Sequence, residues 1–167
     1  FSAEKAYQKA IKNSKTGQKE GLPLKNLLEK ILPVLEEGLA VRSLEFNEDE
    51  AKLIKSLQML TSKPVLYVAN VNEDGFNNNP HLTTLIDYAN SENSHVVSVC
   101  ADIEAEIAEL DDEDKQGFLD EMGQTESGLD RLIKAGYRLL GLHTYFTAGP
   151  KEVRAWTINI GDSAPVA

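Results

Sequence analysis

Residues 63–76, KPVLYVANVNEDGF, decide the fold class of this chain. The run VLYVAN at 65–70 is continuously apolar and β-rich up to its asparagine, which is typical of a strand covered on both faces of a sheet. Pro80 then predicts a helix start, because proline suits the first helical position. A second buried strand, HVVSVC at 95–100, leads at once into the helix pattern ADIEAEIAEL at 101–110. This order predicts a parallel α/β sheet with right-handed crossovers.

The helices of this region carry apolar residues at three- and four-residue spacing. The inner face expected for the first helix is Leu82, Leu85, Ile86 and Ala89, and for the second it is Ile103, Ile107 and Leu110. A later helix, which Gly141 can end, carries Leu129, Leu132, Ile133, Gly136, Tyr137 and Leu140. The acidic run ELDDEDK at 109–115 is interpreted as a solvated helix start, since it lacks the spacing of a calcium loop.

Upstream of the strands, two apolar stripes predict a helical hairpin. The first helix carries Leu24, Leu27, Leu28, Ile31, Leu32, Leu35 and Leu39, and Pro33 is expected to kink or break it. Asn47 and Glu50 have the spacing of a capping box for the second helix, which carries Leu53, Ile54, Leu57 and Leu60. Residues 1–20, with Gly17 as a breaker, are expected to be the end of a helix followed by a loop.

Downstream of Gly141 the strand-like runs HTYFTAG and EVRAWTINIG predict a β-hairpin around Gly149. Two interpretations of its Tyr145 and Trp156 stay open. They are core residues of the hairpin, which is the favoured interpretation, or stacking platforms for RNA, with Arg154 and Lys151 supplying positive charge.

Composition narrows the class of protein. The 167 residues carry a formal charge of −10 and are 41% hydrophobic, so we expect a globular domain that does not bind nucleic acid over its whole surface. A lysine-rich stretch near the start is interpreted as a solvated helix face rather than a nucleic-acid site: Lys5, Lys9, Lys12, Lys15 and Lys19.

Cysteine and histidine usage gives no indication of a metal centre. Cys100 is the only cysteine, which excludes an intrachain disulfide, and the three histidines are scattered, so no zinc site is expected. No apolar run is long enough to span a membrane, and no signal segment is evident, so a soluble, intracellular protein is predicted. The chain begins at Phe1 rather than Met and ends just after a strand-like run, which predicts a piece of a longer protein.

Ligands of parallel sheets bind beyond the carboxyl ends of the strands, which points to Asn70–Glu73 and Cys100–Asp102. An asparagine there can offer both a donor and an acceptor to a planar ring, as in a nucleobase pocket. On spacing alone, a turn-forming role for Asn70 is favoured over a binding role. For Cys100, a small apolar residue at a strand end is likewise favoured over a redox-sensitive thiol.

Three long blocks of the chain resemble the YchF family, the Obg-like ATPases of the translation-factor-related P-loop GTPase class. They are residues 63–82, 96–114 and 128–158, in the family's order. The resemblance implies a P-loop NTPase domain that is interrupted by a helical coiled-coil insertion and followed by a β-grasp TGS domain. Residues 1–60 then correspond to the later part of the insertion, 61–141 to the last part of the nucleotide domain, and 142–167 to the start of the TGS domain.

The resemblance also implies roles for residues at the strand ends. Most P-loop GTPases carry N-K-x-D where this chain has Asn70-Val71-Asn72-Glu73, so guanine would be left poorly paired, at about 1–3 kcal/mol for each unpaired buried group. The family prefers ATP. Carried over, Asn70 contacts the base, Val71 offers its backbone and apolar cover, Glu73 is the altered specificity position, and Cys100 and Ala101 in the second loop contribute backbone.

No G-x-x-x-x-G-K-[ST] motif occurs, so this chain is expected to hold no catalytic residue and no Mg²⁺ ligand. The resemblance implies that the intact protein hydrolyses ATP with Mg²⁺, that it associates with the ribosome or ribosomal RNA in the cytoplasm, and that the fragment alone is inactive. Neither a membrane nor DNA is an expected partner. The alternative is a non-enzymatic module that binds RNA or protein.

Overall fold

The computed structural model describes residues 2–16 and 21–163. These residues form seven α-helices, two short 3-10 helices and four strands. The chain divides into two compact units, Phe1–Pro64 and Val65–Ala167. Within the described ranges, no helix is both long enough and apolar enough to cross a membrane.

The first unit is helical. It contains α1 (Ser2–Lys15), α2 (Gly21–Glu36) and α3 (Glu48–Leu57). One buried cluster, Ala3, Ala10 and Leu28, joins α1 to α2. A second cluster, Leu27, Ile31, Val41 and Ile54, joins α2 to α3 and confirms that the two predicted stripes share a core. The sequence did not predict that α2 is sandwiched between two helices, because α1 was expected to be only a helix end. Gly17 lies outside the described residues.

The predicted capping box of α3 is confirmed. The side chain of Asn47 accepts bonds from the amides of Asp49 and Glu50, at 3.1 and 2.9 Å, and the Glu50 carboxylate accepts a bond from the Asn47 amide at 2.9 Å. These bonds satisfy amides that have no partner inside the helix.

Two expectations for this unit were wrong, and of the two outcomes expected at Pro33 the break is excluded. Leu39 and Leu60 are exposed, Leu60 at 80%, because the helices stop earlier, where Gly38 and Gln58 adopt left-handed backbone. The helix α2 runs through Pro33 without a break, since the proline lies in its last turn and removes only one intrahelical bond. The spacing of apolar residues alone therefore predicted C-terminal ends for α2 and α3 that lie too far along the chain.

The second unit opens with the predicted β–α–β–α order. Strands β1 (Leu66–Asn70) and β2 (His95–Val99) pair in parallel, with Asn70 opposite Val99. The helix α4 (Pro80–Ser91) connects them, and α5 (Ala101–Glu109) follows β2. The strands are not buried on both faces as predicted: Val68 is 47% exposed in this two-stranded sheet, on which α4 and a later helix pack. Ile86, which was expected on the inner face of α4, is also exposed.

Two further helices and a hairpin complete the unit. The acidic run begins α6 (Asp112–Glu121), as predicted, and α7 (Gly128–Leu140) ends at Gly141, whose φ is +63°. The hairpin of β3 (Leu142–Ala148) and β4 (Val153–Asn159) is confirmed as antiparallel.

The predicted apolar stripe of α7 is only partly buried, because Leu129, Ile133 and Leu140 are exposed in the described structure. The core interpretation of Trp156 was also wrong, since this residue is 39% exposed. Trp156 lies opposite Tyr145 on a face of the hairpin where Arg154 stacks at 4.6 Å from the centre of the Trp156 ring.

Candidate functional site

The carboxyl ends of β1 and β2 are joined by a side chain. The amide of Val71 donates to the carbonyl of Val99 at 2.8 Å, and the side-chain oxygen of Asn70 accepts a bond from the amide of Ala101 at 3.1 Å. Asn70 therefore bonds across to the loop after β2. This orientation leaves its side-chain Nδ2 group as the hydrogen-bond donor at the edge of the sheet.

The loop after β1 is a compact turn. The amide of Gly75 donates to the carbonyl of Asn72 at 2.8 Å, and a Cβ at Gly75 would lie 3.1 Å from backbone atoms of Asn72 and from the Cβ of Val71. The Asn79 side chain donates to the carbonyl of Gly75 at 3.0 Å and also caps α4. The loop is thus held at both ends, and a side chain at position 75 would crowd Asn72 and Val71, so that these neighbours would have to move by a few tenths of an ångström.

The residues predicted for the first loop have different exposures. Asn70, Asn72 and Glu73 are exposed, whereas the Val71 side chain is 9% exposed and packs beneath Gly75. The Val71 side chain therefore packs within the turn, and its predicted role as backbone contact and apolar cover stays a prediction.

The second predicted loop is very short, because α5 begins at Ala101. The Cys100 side chain is 1% exposed and belongs to a cluster with Ile103, Ile107 and Leu119. This burial accords with the favoured interpretation of Cys100 as a small apolar residue at a strand end. What the second loop presents to a ligand is the first turn of α5, whose leading amides have no intrahelical partners.

Three residues that support these loops were not predicted: Glu104, Arg131 and Phe76. The Glu104 carboxylate accepts bonds from the amides of Gly128 and Leu129, at 2.6 and 3.1 Å, at the start of α7. The Arg131 guanidinium donates to the Ser98 carbonyl in β2 at 3.1 Å and lies 6.0 Å from the centre of the Phe76 ring.

No local signal could have identified these residues, because their partners lie far away in the sequence. Helical periodicity places Arg131 on the polar face of α7, and a polar face is usually solvated. The contacts exist only after the strand ends, α5 and α7 have packed together.

Two electrostatic observations concern the surroundings of the site. Partial burial, followed by a hydrogen bond to the Glu92 carboxylate at 3.0 Å, raises the pKa of Tyr67 in β1, so this phenol stays neutral at physiological pH. Among residues 2–16 and 21–163, no group of three or more His, Cys, Asp or Glu side chains could hold a metal ion.

Comparison with curated proteins identifies close relatives, although no protein-family model matches the chain. The chain is 54% identical over 164 residues to the ribosome-binding ATPase YchF of Pasteurella multocida (strain Pm70), which covers 98% of this chain and 45% of that protein. It is 51% identical over 166 residues to the ribosome-binding ATPase YchF of Escherichia coli O157:H7, and 49% identical over 167 residues to that of Bacillus subtilis (strain 168). These two matches cover 99% and 98% of the chain and 46% of each relative.

A solved structure has the same architecture. The structure of the Schizosaccharomyces pombe YchF GTPase matches with a TM-score of 0.87 and 27% sequence identity, over 98% of this chain and 46% of that one. The chain thus spans about half the length of the relatives it matches. The matched half is the mixed α/β arrangement described above, with two small sheets and seven helices in the described residues. From the sequence identities and the shared fold together, this chain belongs to the YchF family.

Proposed function

We propose that this chain is the base-recognising part of a P-loop NTPase that binds and hydrolyses ATP in preference to GTP. The observation that carries the proposal is the hydrogen bond from Ala101 to Asn70, which brings the two predicted base-side loops together at one edge of the sheet. The curated relatives are named as ribosome-binding ATPases, which supports the activity.

The chemistry of the edge favours adenine. The Asn70 Nδ2 group can donate to a ring nitrogen, while backbone groups of the two loops can pair with the exocyclic amine. Glu73, one methylene longer than the aspartate of N-K-x-D, cannot keep the short bidentate contact to the guanine donors unchanged. Buried donors without partners cost about 1–3 kcal/mol each, which is enough to change the choice of base.

The phosphate-binding half of the reaction is assigned to residues outside this chain. No P-loop motif occurs in the sequence, and the relatives are about twice as long. The proposal therefore places the Mg²⁺ ligands and the attacking water elsewhere in the intact protein. Calorimetric titration of the 167-residue chain with ATP should give little heat, whereas the protein from the complete reading frame should bind. A start codon immediately before Phe1 would contradict this assignment.

The choice of base is tested by Glu73→Asp in the protein from the complete reading frame. The shorter carboxylate should move the ratio of the GTP and ATP dissociation constants toward GTP by about tenfold, which corresponds to one restored pair of hydrogen bonds. Val71→Lys, which restores the rest of the motif, is best added second, because the Val71 side chain is buried and a lysine there costs stability.

The matched control is Asp74→Glu, which changes the length of the neighbouring exposed carboxylate in the same turn. It should leave the ratio unchanged. If Glu73→Asp and the double variant also leave the ratio unchanged, Glu73 does not determine base choice.

The hairpin supports a second candidate function, a module that binds RNA or protein without catalysis. Arg154 stacks over the partly exposed Trp156, whose indole N–H donates to the Thr147 hydroxyl at 2.9 Å. Exposed aromatic and guanidinium planes are the groups on which single-stranded bases stack. The relatives are named as ribosome-binding proteins, and together with this face the name supports the ribosome or ribosomal RNA, in the cytoplasm, as the partner we propose.

Co-sedimentation with purified ribosomes tests this partner. Trp156→Leu should weaken binding several-fold, since base–aromatic stacking contributes about 1–3 kcal/mol per base. Phe146→Leu, on the other face of the hairpin, is the control. Ribosome binding without any nucleotide binding by the intact protein would favour the non-enzymatic module.

A further inference from the structure

We propose that Arg131 is a positioning residue of the base site, which fixes the loop after β1 and the loop after β2 relative to each other. This inference deepens the proposed function and rests on it. Arg131 lies in the first turn of α7.

Two contacts of Arg131 lead to the two loops. One nitrogen of the guanidinium donates to the carbonyl of Ser98 at 3.1 Å, two residues before Cys100. The guanidinium also lies over the ring of Phe76, in the loop that carries Asn72 and Glu73. Phe76 in turn packs against the buried Cys100 cluster. The guanidinium of Arg131 therefore contacts both the end of β2, just before the second loop, and the first loop at Phe76.

The other guanidinium nitrogen fixes the position of Arg131 itself. It donates to the Gln124 side chain at 2.9 Å and to the Glu126 carbonyl at 3.0 Å. Among the described residues no carboxylate forms an ion pair with this guanidinium, and its acceptors are carbonyl oxygens. An arginine that only formed a surface ion pair would contact a carboxylate. Arg131 instead donates from both terminal nitrogens of its planar guanidinium to separate carbonyl oxygens.

The carboxylate of Glu104 makes the reciprocal connection. It reaches from the first turn of α5 to the amides of Gly128 and Leu129, while Arg131 reaches from α7 back to β2. A Cβ at Gly128 would lie 2.7 Å from the Glu104 carboxylate and 3.1 Å from Val99 Cγ1. The start of α7 is thus packed directly against the strand end that leads to Ala101.

The experiment uses the protein from the complete reading frame and compares Arg131→Met, Arg131→Lys and Phe76→Leu. Each variant is titrated with ATP and with inorganic triphosphate, both with Mg²⁺. The ratio of the two dissociation constants measures what the nucleoside part contributes, because triphosphate has the phosphates alone. Arg138→Met, an exposed arginine on the same helix, is the matched control.

Arg131→Met should reduce the contribution of the nucleoside part by about tenfold and leave triphosphate affinity unchanged, since misplaced loops leave hydrogen bonds to the base unmade. Arg131→Lys, which keeps the charge but not the fork, should fall between wild type and Arg131→Met. Phe76→Leu should act in the same direction, and Arg138→Met should match wild type.

The proposal is overturned if the ratio in Arg131→Lys and Phe76→Leu stays at the wild-type value, or if ATP and triphosphate affinities fall together. If Arg131→Met does not fold by circular dichroism, the other two variants decide. A wild-type protein that binds ATP no more tightly than triphosphate contradicts the proposed function itself, which separates the two failures.

Discussion

At the scale of single residues, Asn70 bonds to the second loop in the structure and contacts the base in the proposed function, and one side chain can fill both roles. Its oxygen accepts the Ala101 amide, and this bond sets which end of the side-chain amide points toward a ligand. The residue type was read from the sequence, and its place at a strand end was correct. The sequence did not predict that the Asn70 oxygen bonds to a residue beyond the next strand, because an asparagine at this position is typical of a turn.

Asn70→Asp separates the two roles. An aspartate oxygen can still accept the Ala101 amide at the start of α5, where negative charge is favourable, so the free energy of unfolding should change by less than about 0.5 kcal/mol. The donor toward the base is lost, and ATP affinity of the intact protein should fall about tenfold. Urea titration and calorimetry measure the two quantities. Asn77→Asp, which makes the same charge change at an exposed position later in the same loop, should leave ATP affinity nearly unaltered; equal losses in both variants would mean charge repulsion.

At the scale of elements, α7 is held at both ends. Glu104 and Ser127 supply acceptors for its first amides, and the carbonyl of Gly141 after its last residue accepts the Ile160 amide at 2.7 Å. The hydroxyls of Tyr137 and Thr157 lie 3.5 Å apart and link the helix to β4. The helix therefore connects the candidate base site to the hairpin with no intervening linker.

Two glycines of α7 should respond oppositely to the same substitution. Gly128→Ala should lower the free energy of unfolding by about 1–3 kcal/mol, since its methyl group meets Val99 and displaces the Glu104 carboxylate from the helix start. Gly136→Ala should raise it by about 0.5–1 kcal/mol, because the space is open and alanine favours helix. Chemical denaturation measures both. Equal changes would show that helix propensity alone acts at the two positions.

The sequence predicted those features of the helices and strands that depend on residues close together in the chain. The capping box at Asn47, the helix start at Pro80 and the stop at Gly141 are local, and all three are confirmed. Leu39 and Leu60 continue an apolar period past a left-handed residue, so periodicity extended their helices too far. The contacts of Phe76 and Arg131 are with residues in other elements, so no single stretch of sequence predicts them.

At the scale of the whole molecule, the chain forms two compact units and carries a formal charge of −10. Sequence patterns predicted more burial than the described residues provide, as at Val68 and Ile133. A pattern shows which face is apolar, whereas burial depends on what lies opposite that face. The division into insertion, nucleotide domain and TGS domain remains a prediction, with the unit boundary lying between Pro64 and Val65.

Acid should destabilise the helical unit partly through Glu29. The side chains of Lys25 and Tyr7 donate to its carboxylate at 2.9 and 2.7 Å, and these bonds lower the pKa of Glu29 from the ordinary 4.5. Its stabilisation is thus present above about pH 4.5 and is lost as the pH falls through the lower pKa of the folded state. Glu29→Gln should lower the melting temperature at pH 7 and reduce its drop below pH 4.5.

Glu36→Gln, at an exposed position of the same helix, is the control for the acid melt and should retain the wild-type drop. The same contacts raise the pKa of Lys25 and Tyr7, so their stabilisation is lost as the pH rises through those raised values. The fall in melting temperature at alkaline pH should therefore also be smaller in Glu29→Gln than in wild type. Parallel curves for Glu29→Gln and wild type at both extremes would exclude this cluster as a source of the pH dependence.

The stacked pair of Arg154 and Trp156 has an optical consequence. Trp156 is the only tryptophan of the chain, so intrinsic indole emission reports on the hairpin alone, without an added label. A guanidinium over the ring and a hydroxyl at its N–H set the local polarity that the emission wavelength follows. Since α7 connects the hairpin to the strand ends, the difference in emission between the intact protein and its Trp156→Phe variant on adding nucleotide would register events at the far end of that helix.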